Sequence, residues 1–113
     1  MIKIYHNPRC QKSRKTLEIL EKSGKSFEVV KYLETPPTED EIRKVLVLLN
    51  LNAENLIRKN ESIWKENYKN KLLSEDELIT IMAKNPKLIE RPIVVKGNKA
   101  IIGRPPENIE SIL

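Results

Sequence analysis

Only one cysteine, Cys10, and one histidine, His6, occur in the 113 residues. A lone thiol forms no internal disulfide and cannot build a Cys-rich zinc site. His6 and Cys10 alone are too few donors for a closed metal site, so no metal is expected. Aromatic residues make up 4% of the chain, and no basic helix interleaves them, which argues against a nucleic-acid partner despite a net charge of +5. No run approaches the ~18 apolar residues of a membrane span. The opening MIKIYHNP has no apolar signal-peptide core. No membrane association is expected, and the expected compartment is the cytoplasm.

An apolar fraction of 39% and a charged fraction of 33% suit one soluble, compact domain over residues 1–113. The charge is unevenly placed. Residues 1 to 31 hold eight Lys and Arg against three Glu, and the remainder holds thirteen of each sign. The surplus therefore surrounds HNPRCQKSR, where Arg9, Lys12, Arg14 and Lys15 stand close to Cys10.

IKIY, residues 2–5, has the composition of a short strand, HNPRCQ that of a turn, and residues 13–23 that of a helix with Leu17, Leu20 and Thr16 inward, ended by Gly24. FEVVKYL, residues 27–33, is a second strand candidate, and a β-α-β opening favours a parallel pair. Thr38 with Glu41 and Ser74 with Glu77 form capping boxes for two helices. Ile42, Val45, Leu46 and Leu49 recur at helical spacing, as do Leu78, Ile81 and Met82. Short helices are predicted within LNAENLIRKN and ESIWKENY, making residues 38–86 helical throughout, with Trp64 and Tyr68 packed inside. RPIVV, residues 91–95, and AII, residues 100–102, read as a hairpin turned at Gly97-Asn98, followed by a short helix in PPENIESIL.

This order sets Cys10 just before the first turn of a helix, where unpaired N–H groups and the helix dipole favour a thiolate. Basic neighbours at a helix start lower a thiol pKa by one to several units. The same N–H groups can cradle an oxyanion. A cysteine flanked by Arg9, Gln11 and Lys12 is a poor core residue, so a reactive thiol is expected over an inert one. Ser13 completes a Cys-x-x-Ser pattern; its hydroxyl either bonds the thiolate or, by preference, caps the helix. His6 either favours the thiolate as a cation, organises the turn, or is a simple turn histidine. With no resolving cysteine, any adduct of Cys10 must be released by an external thiol. Arginine suits tetrahedral oxyanions through its two-pronged fork, but spacing alone does not bring Arg58, Arg91 and Arg104 together.

The blocks IYHNPRCQKSRKTLEIL, YLETPPTEDEI, LIRKN, NPKLIERPIVV and IGRPPE, in that order, closely resemble the glutaredoxin-coupled arsenate reductase (ArsC) family, and in particular its smaller arsenate-reductase-like members. The resemblance spans essentially the whole chain. It implies an α/β, thioredoxin-like fold, β-α-β then β-β-α, with a core of residues 1–35 and 88–113 and a helical insertion at 36–87. It implies that Cys10 is the nucleophile of the HNPxC motif and that His6 is linked to its lowered pKa. Arg58, Arg91 and Arg104 match the anion-binding arginines, and Pro92 falls where such folds keep a cis-proline. The implied enzyme is a monomer that holds no bound cofactor. It reduces arsenate to arsenite through a cysteine-arsenate adduct resolved by glutathione and glutaredoxin as external thiol donors. Two alternatives share the resemblance: a glutathione-dependent reductase of another substrate, and a non-catalytic, Spx-type protein-binding regulator, whose typical Cys-x-x-Cys switch is absent because residue 13 is serine.

Overall fold

A computed structural model describes residues 1–113. Two compact units divide the chain: residues 1–35 with 91–113, and residues 36–90. The first is a four-stranded mixed sheet in the order β2-β1-β3-β4, which together with the inserted helices is a thioredoxin-like fold with a helical insertion. β1 (Ile2–Tyr5) pairs in parallel with β2 (Phe27–Val30), from Ile2 opposite Phe27 to Tyr5 opposite Val30. β3 (Ile93–Lys96) lies antiparallel on the other side of β1, with Tyr5 opposite Ile93, and β4 (Lys99–Ile102) pairs antiparallel with β3. Gly97, at φ +59°, opens the two-residue β3–β4 turn in a conformation that costs a glycine little.

α1 (Gln11–Lys22) is the crossover between β1 and β2. Its Leu20 joins Ile2, Ile4, Val94 and Ile109 in one core, with Leu17, Phe27 and Ile101 packed against the edge. Such buried aliphatic side chains contribute about 1.5–3 kcal/mol each. Ile109 comes from a closing 3-10 helix, Pro106–Ile112. Gly103 follows β4, and of the three glycines it alone has no room for a side chain. A Cβ there would lie 2.6 Å from Thr16 Oγ1 and 2.9 Å from Pro92 Cγ. Neither neighbour yields readily: Thr16 is fully buried with its hydroxyl donating to the Lys12 carbonyl at 2.8 Å, and Pro92 is a rigid ring whose carbonyl accepts from the Gly103 N–H at 2.9 Å.

The second unit is helical. α2 (Glu39–Leu49) and α5 (Glu75–Lys84) both open on complete capping boxes, Thr38 with Glu41 and Ser74 with Glu77. Short α3 (Ala53–Leu56) and α4 (Ser62–Asn67) lie between them. Ile42, Val45 and Leu46 of α2 and Leu78, Ile79, Ile81 and Met82 of α5 are buried. Trp64 is also buried, its ring 5.7 Å from that of Tyr68.

Several boundaries differ from the sequence reading. α1 begins at Gln11 rather than 13, because the Cys10 carbonyl already accepts from the Arg14 N–H at 3.0 Å. β2 stops at Val30 instead of 33, because the Lys31 carbonyl turns to accept the N–H groups of Glu34 and Thr35. β3 starts two residues after Arg91, beyond Pro92, which has no N–H to give a ladder. Residues 38–86 are not continuously helical. Ile57 makes an antiparallel bridge to Ile89, and residues 70–73 are irregular between α4 and α5. The last helix is 3-10 in type.

Gly103→Ala is expected to lower folding stability by about 1–3 kcal/mol through overpacking. Urea denaturation, read as a drop in the midpoint with unchanged slope, checks this.

Candidate active site

The Asn-Pro pair after β1 turns the chain so that Cys10 becomes the N-cap of α1, with extended backbone at φ −96° and ψ 122°. The Cys10 N–H donates to the Asn7 carbonyl at 3.0 Å, and the Arg9 N–H to Asn7 Oδ1 at 3.0 Å, an Asx turn that fixes the loop from within. Arg14 Nη1 adds a bond to the Pro8 carbonyl at 2.9 Å.

Ser13 does not cap the helix, contrary to the preferred reading of its hydroxyl. No side chain caps α1, and the cap position itself is cysteine. The Ser13 Oγ is fully buried, accepts from the Asn7 N–H at 3.0 Å, and lies 2.7 Å from His6 Nδ1. It thereby ties the end of β1 to the first turn of α1. With both contacts made inward, the hydroxyl leaves the sulfur to the backbone.

His6 is buried. Its pKa lies below the ordinary imidazole value because burial, then the charges of Lys31 and Arg14, disfavour the cation. The neutral ring is therefore favoured, and its contact with Ser13 is what the structure shows it making.

Cys10 is half-buried and free. Burial is the largest influence on its thiol and pushes the pKa up. The N–H of Ser13, the charge and hydrogen bond of Arg91, and the N–H of Lys12 together outweigh it, and the net shift is downward. Arg104 Nη1 approaches Cys10 Sγ at 3.9 Å and is anchored by donation to the Arg91 carbonyl at 3.1 Å. Two guanidinium groups and two N–H groups thus converge on one half-buried sulfur. That cluster carries more positive charge than a single thiolate balances, which suits it to an anion that meets the sulfur there.

Arg58 belongs to the second unit. Its guanidinium is 3.0 Å from Glu90 Oε1 and 3.6 Å from Glu61 Oε1, and its side chain is only 13% exposed. The adjoining backbone is pinned as well: the Arg58 N–H donates to the Leu88 carbonyl at 2.7 Å, and the Glu90 N–H to that of Leu56 at 2.9 Å. Sequence reasoning missed Asn7 and Gly103. The Asn-Pro pair and a glycine directly before Arg104 were the available signals. No three His, Cys, Asp or Glu side chains group in a way that could hold a metal, and no helix is long and apolar enough to cross a membrane.

Residues 5–112 match the ArsC family. Over 99% of this chain, similarity extends to the uncharacterized protein YfgD of Escherichia coli K12, at 52% identity and 96% of that protein. It extends likewise to an arsenate reductase of Neisseria meningitidis serogroup A, at 46% identity and 97% of that protein. The solved structure of an arsenate reductase from Vibrio cholerae superposes with a TM-score of 0.94 at 47% identity, covering 99% of this chain and 97% of the other.

Two measurements check the electrostatics of this site. The rate of iodoacetamide labelling at Cys10 should rise with a midpoint pH below that of an unfolded peptide thiol, and Arg91→Ala should move the midpoint upward. The thiol's depressed pKa also links it to folding. Its contribution is fully present above the ordinary thiol pKa and is lost as pH falls through the folded value. The stability of the protein relative to Cys10→Ser should therefore grow between those two pH values in parallel denaturation series.

Proposed function

The chain belongs to the ArsC family, and on that premise we propose that it reduces arsenate to arsenite with Cys10 as the attacking group. It is a thiol-dependent oxidoreductase. The observation that carries the reading is a single half-buried cysteine whose pKa is lowered by the N–H groups of Ser13 and Lys12 and by Arg91, with Arg104 alongside.

Arsenate binds with its oxygens on Arg91, Arg104 and the N–H groups at the start of α1. Arg58 keeps the anion-binding assignment that its family position in LIRKN implies, and within its own unit Glu61 and Glu90 set its orientation. The Cys10 thiolate attacks arsenic, an S–As bond forms, and one protonated oxygen leaves as water. Arsenic is still pentavalent in this adduct. Glutathione attacks the adduct next, and glutaredoxin resolves the mixed species. Over the cycle two external thiols become one disulfide, arsenic takes up their two electrons, arsenite leaves, and Cys10 returns as a thiolate. The arginines offset the negative charge that accumulates where thiolate and oxyanion meet, a contribution of about 3–4 kcal/mol for one well-placed donor. His6 acts at one remove, by holding Ser13 and hence the backbone that faces the sulfur. The enzyme works as a monomer in the cytoplasm, where reduced external thiols are available.

Purified protein with arsenate, glutathione, glutaredoxin and a glutathione reductase should consume reduced nicotinamide cofactor in an arsenate-dependent way. Cys10→Ser abolishes turnover, and Arg91→Ala lowers kcat/KM for arsenate by about 10²-fold while the protein stays folded. A folded protein that gives no arsenate-dependent consumption with any of several glutaredoxins would falsify the assignment of substrate.

A further inference from the structure

Four cations stand around the site, and none of their side chains is among the groups that act on the Cys10 sulfur. Arg9, Lys12, Arg14 and Lys15 are all exposed, and none belongs to any of the ion pairs of the chain. Three of them occupy the opening turns of α1, where a helix dipole disfavours positive charge. The chain observes that rule elsewhere: α2 opens with Glu39, Asp40 and Glu41, and α5 with Glu75, Asp76 and Glu77, whereas α1 has no acid in its first turn. The anion site is already served by Arg91, Arg104 and the backbone, so these outer charges exceed what a small oxyanion requires.

The surface beside Arg9 is shaped for more than an ion. A cleft of about 270 Å³ lies between the Cys10 loop and the turn after β2, lined by His6, Asn7, Pro8, Arg9, Lys31 and Leu33, with Glu34 at its edge. Pro8 and Leu33 are exposed apolar groups there, and Lys31 adds a fifth exposed cation. A small apolar centre bordered by charge is the usual anatomy of a protein-protein contact. The chain's own chemistry identifies the occupant. It has no second cysteine, so whatever Cys10 binds must be released by a thiol that arrives from outside.

We propose that Arg9, Lys12, Arg14, Lys15 and Lys31, with the Pro8–Leu33 cleft, form a docking surface for a thiol-bearing protein whose own cysteine is bordered by acidic side chains. This identifies the kind of partner for the site proposed above and rests on that reading of Cys10 as a thiol-exchanging group. The rim steers encounter, so its effect falls on the approach of the partner and not on the reaction of arsenate.

The test needs no arsenate and so separates this proposal from the choice of substrate. Cys10 is first converted to a mixed disulfide with thionitrobenzoate. An incoming thiolate attacks the Cys10 sulfur, a new S–S bond forms, and the old one breaks with release of coloured thionitrobenzoate, with no net redox change. The rate is compared for a glutaredoxin with an acidic surface around its cysteine and for neutral 2-mercaptoethanol. In Arg9→Glu/Lys15→Glu the protein-thiol rate should fall at least ~10-fold while the 2-mercaptoethanol rate changes by less than about 2-fold. Added salt should slow the wild-type protein reaction and leave the small thiol unaffected. A glutaredoxin with the facing acids changed to lysine should recover the rate with the variant. The substitution at Lys15 places an acid near a helix start, so folding is not endangered. Equal losses for both thiols, no loss for either, or failure of the charge-exchanged pair to recover would each overturn the docking surface.

Discussion

Backbone N–H groups at the start of one helix, aimed at one sulfur, are the constraint on which the rest of the site depends. Burial alone would make Cys10 a worse nucleophile by holding its proton. The two amides that help Arg91 reverse this are worth something only if the first turn of α1 is fixed against the loop before it. Asn7 fixes the loop internally, and the buried hydroxyl of Ser13 fixes the loop to the turn. The apolar core under α1 holds the helix itself, through Leu20 against Ile4 and Val94. Chemistry at the sulfur is therefore an outcome of packing several residues away.

The arginines are delivered by a different device. β3 runs antiparallel beside β1, so the residue that precedes it lies at the end of the sheet from which the Cys10 loop emerges. Arg91 stands just before β3, across Pro92, and Arg104 follows β4 across Gly103, where the hairpin returns to the same end. Gly103 allows the return segment to pass against Thr16 and Pro92 closely enough for Arg104 to reach the sulfur. Both the Arg91-Pro92 and the Arg104-Pro105 peptide bonds are cis.

Much of this was legible in the residues themselves. The two capping boxes, the buried faces of α2 and α5, the strand at 2–5 and the turn at Gly97 follow from local rules, and local contacts realise them. The family resemblance supplied the fold and the set of candidate arginines, which spacing alone could not join. What misled was competition between equally local options. Ser13 has the residue type of a cap, yet a buried imidazole offered its hydroxyl a partner from another element. For His6 the residues left a cationic and an organising role open; burial and two nearby cations favour the neutral ring, and burial is not written in the neighbouring sequence. The overlong second strand failed because Lys31 had a turn to make.

The discontinuity of the sheet unit bears on how the protein comes into being. Its two pieces, residues 1–35 and 91–113, are separated by the whole helical unit. During synthesis the cysteine leaves the ribosome before the helical unit, and Arg91 and Arg104 after it. A chain in mid-synthesis thus carries the thiol before Arg91 and Arg104, which the second piece of the sheet unit supplies. The two guanidinium groups that meet the sulfur therefore come after it in the order of synthesis, with the whole helical unit between them.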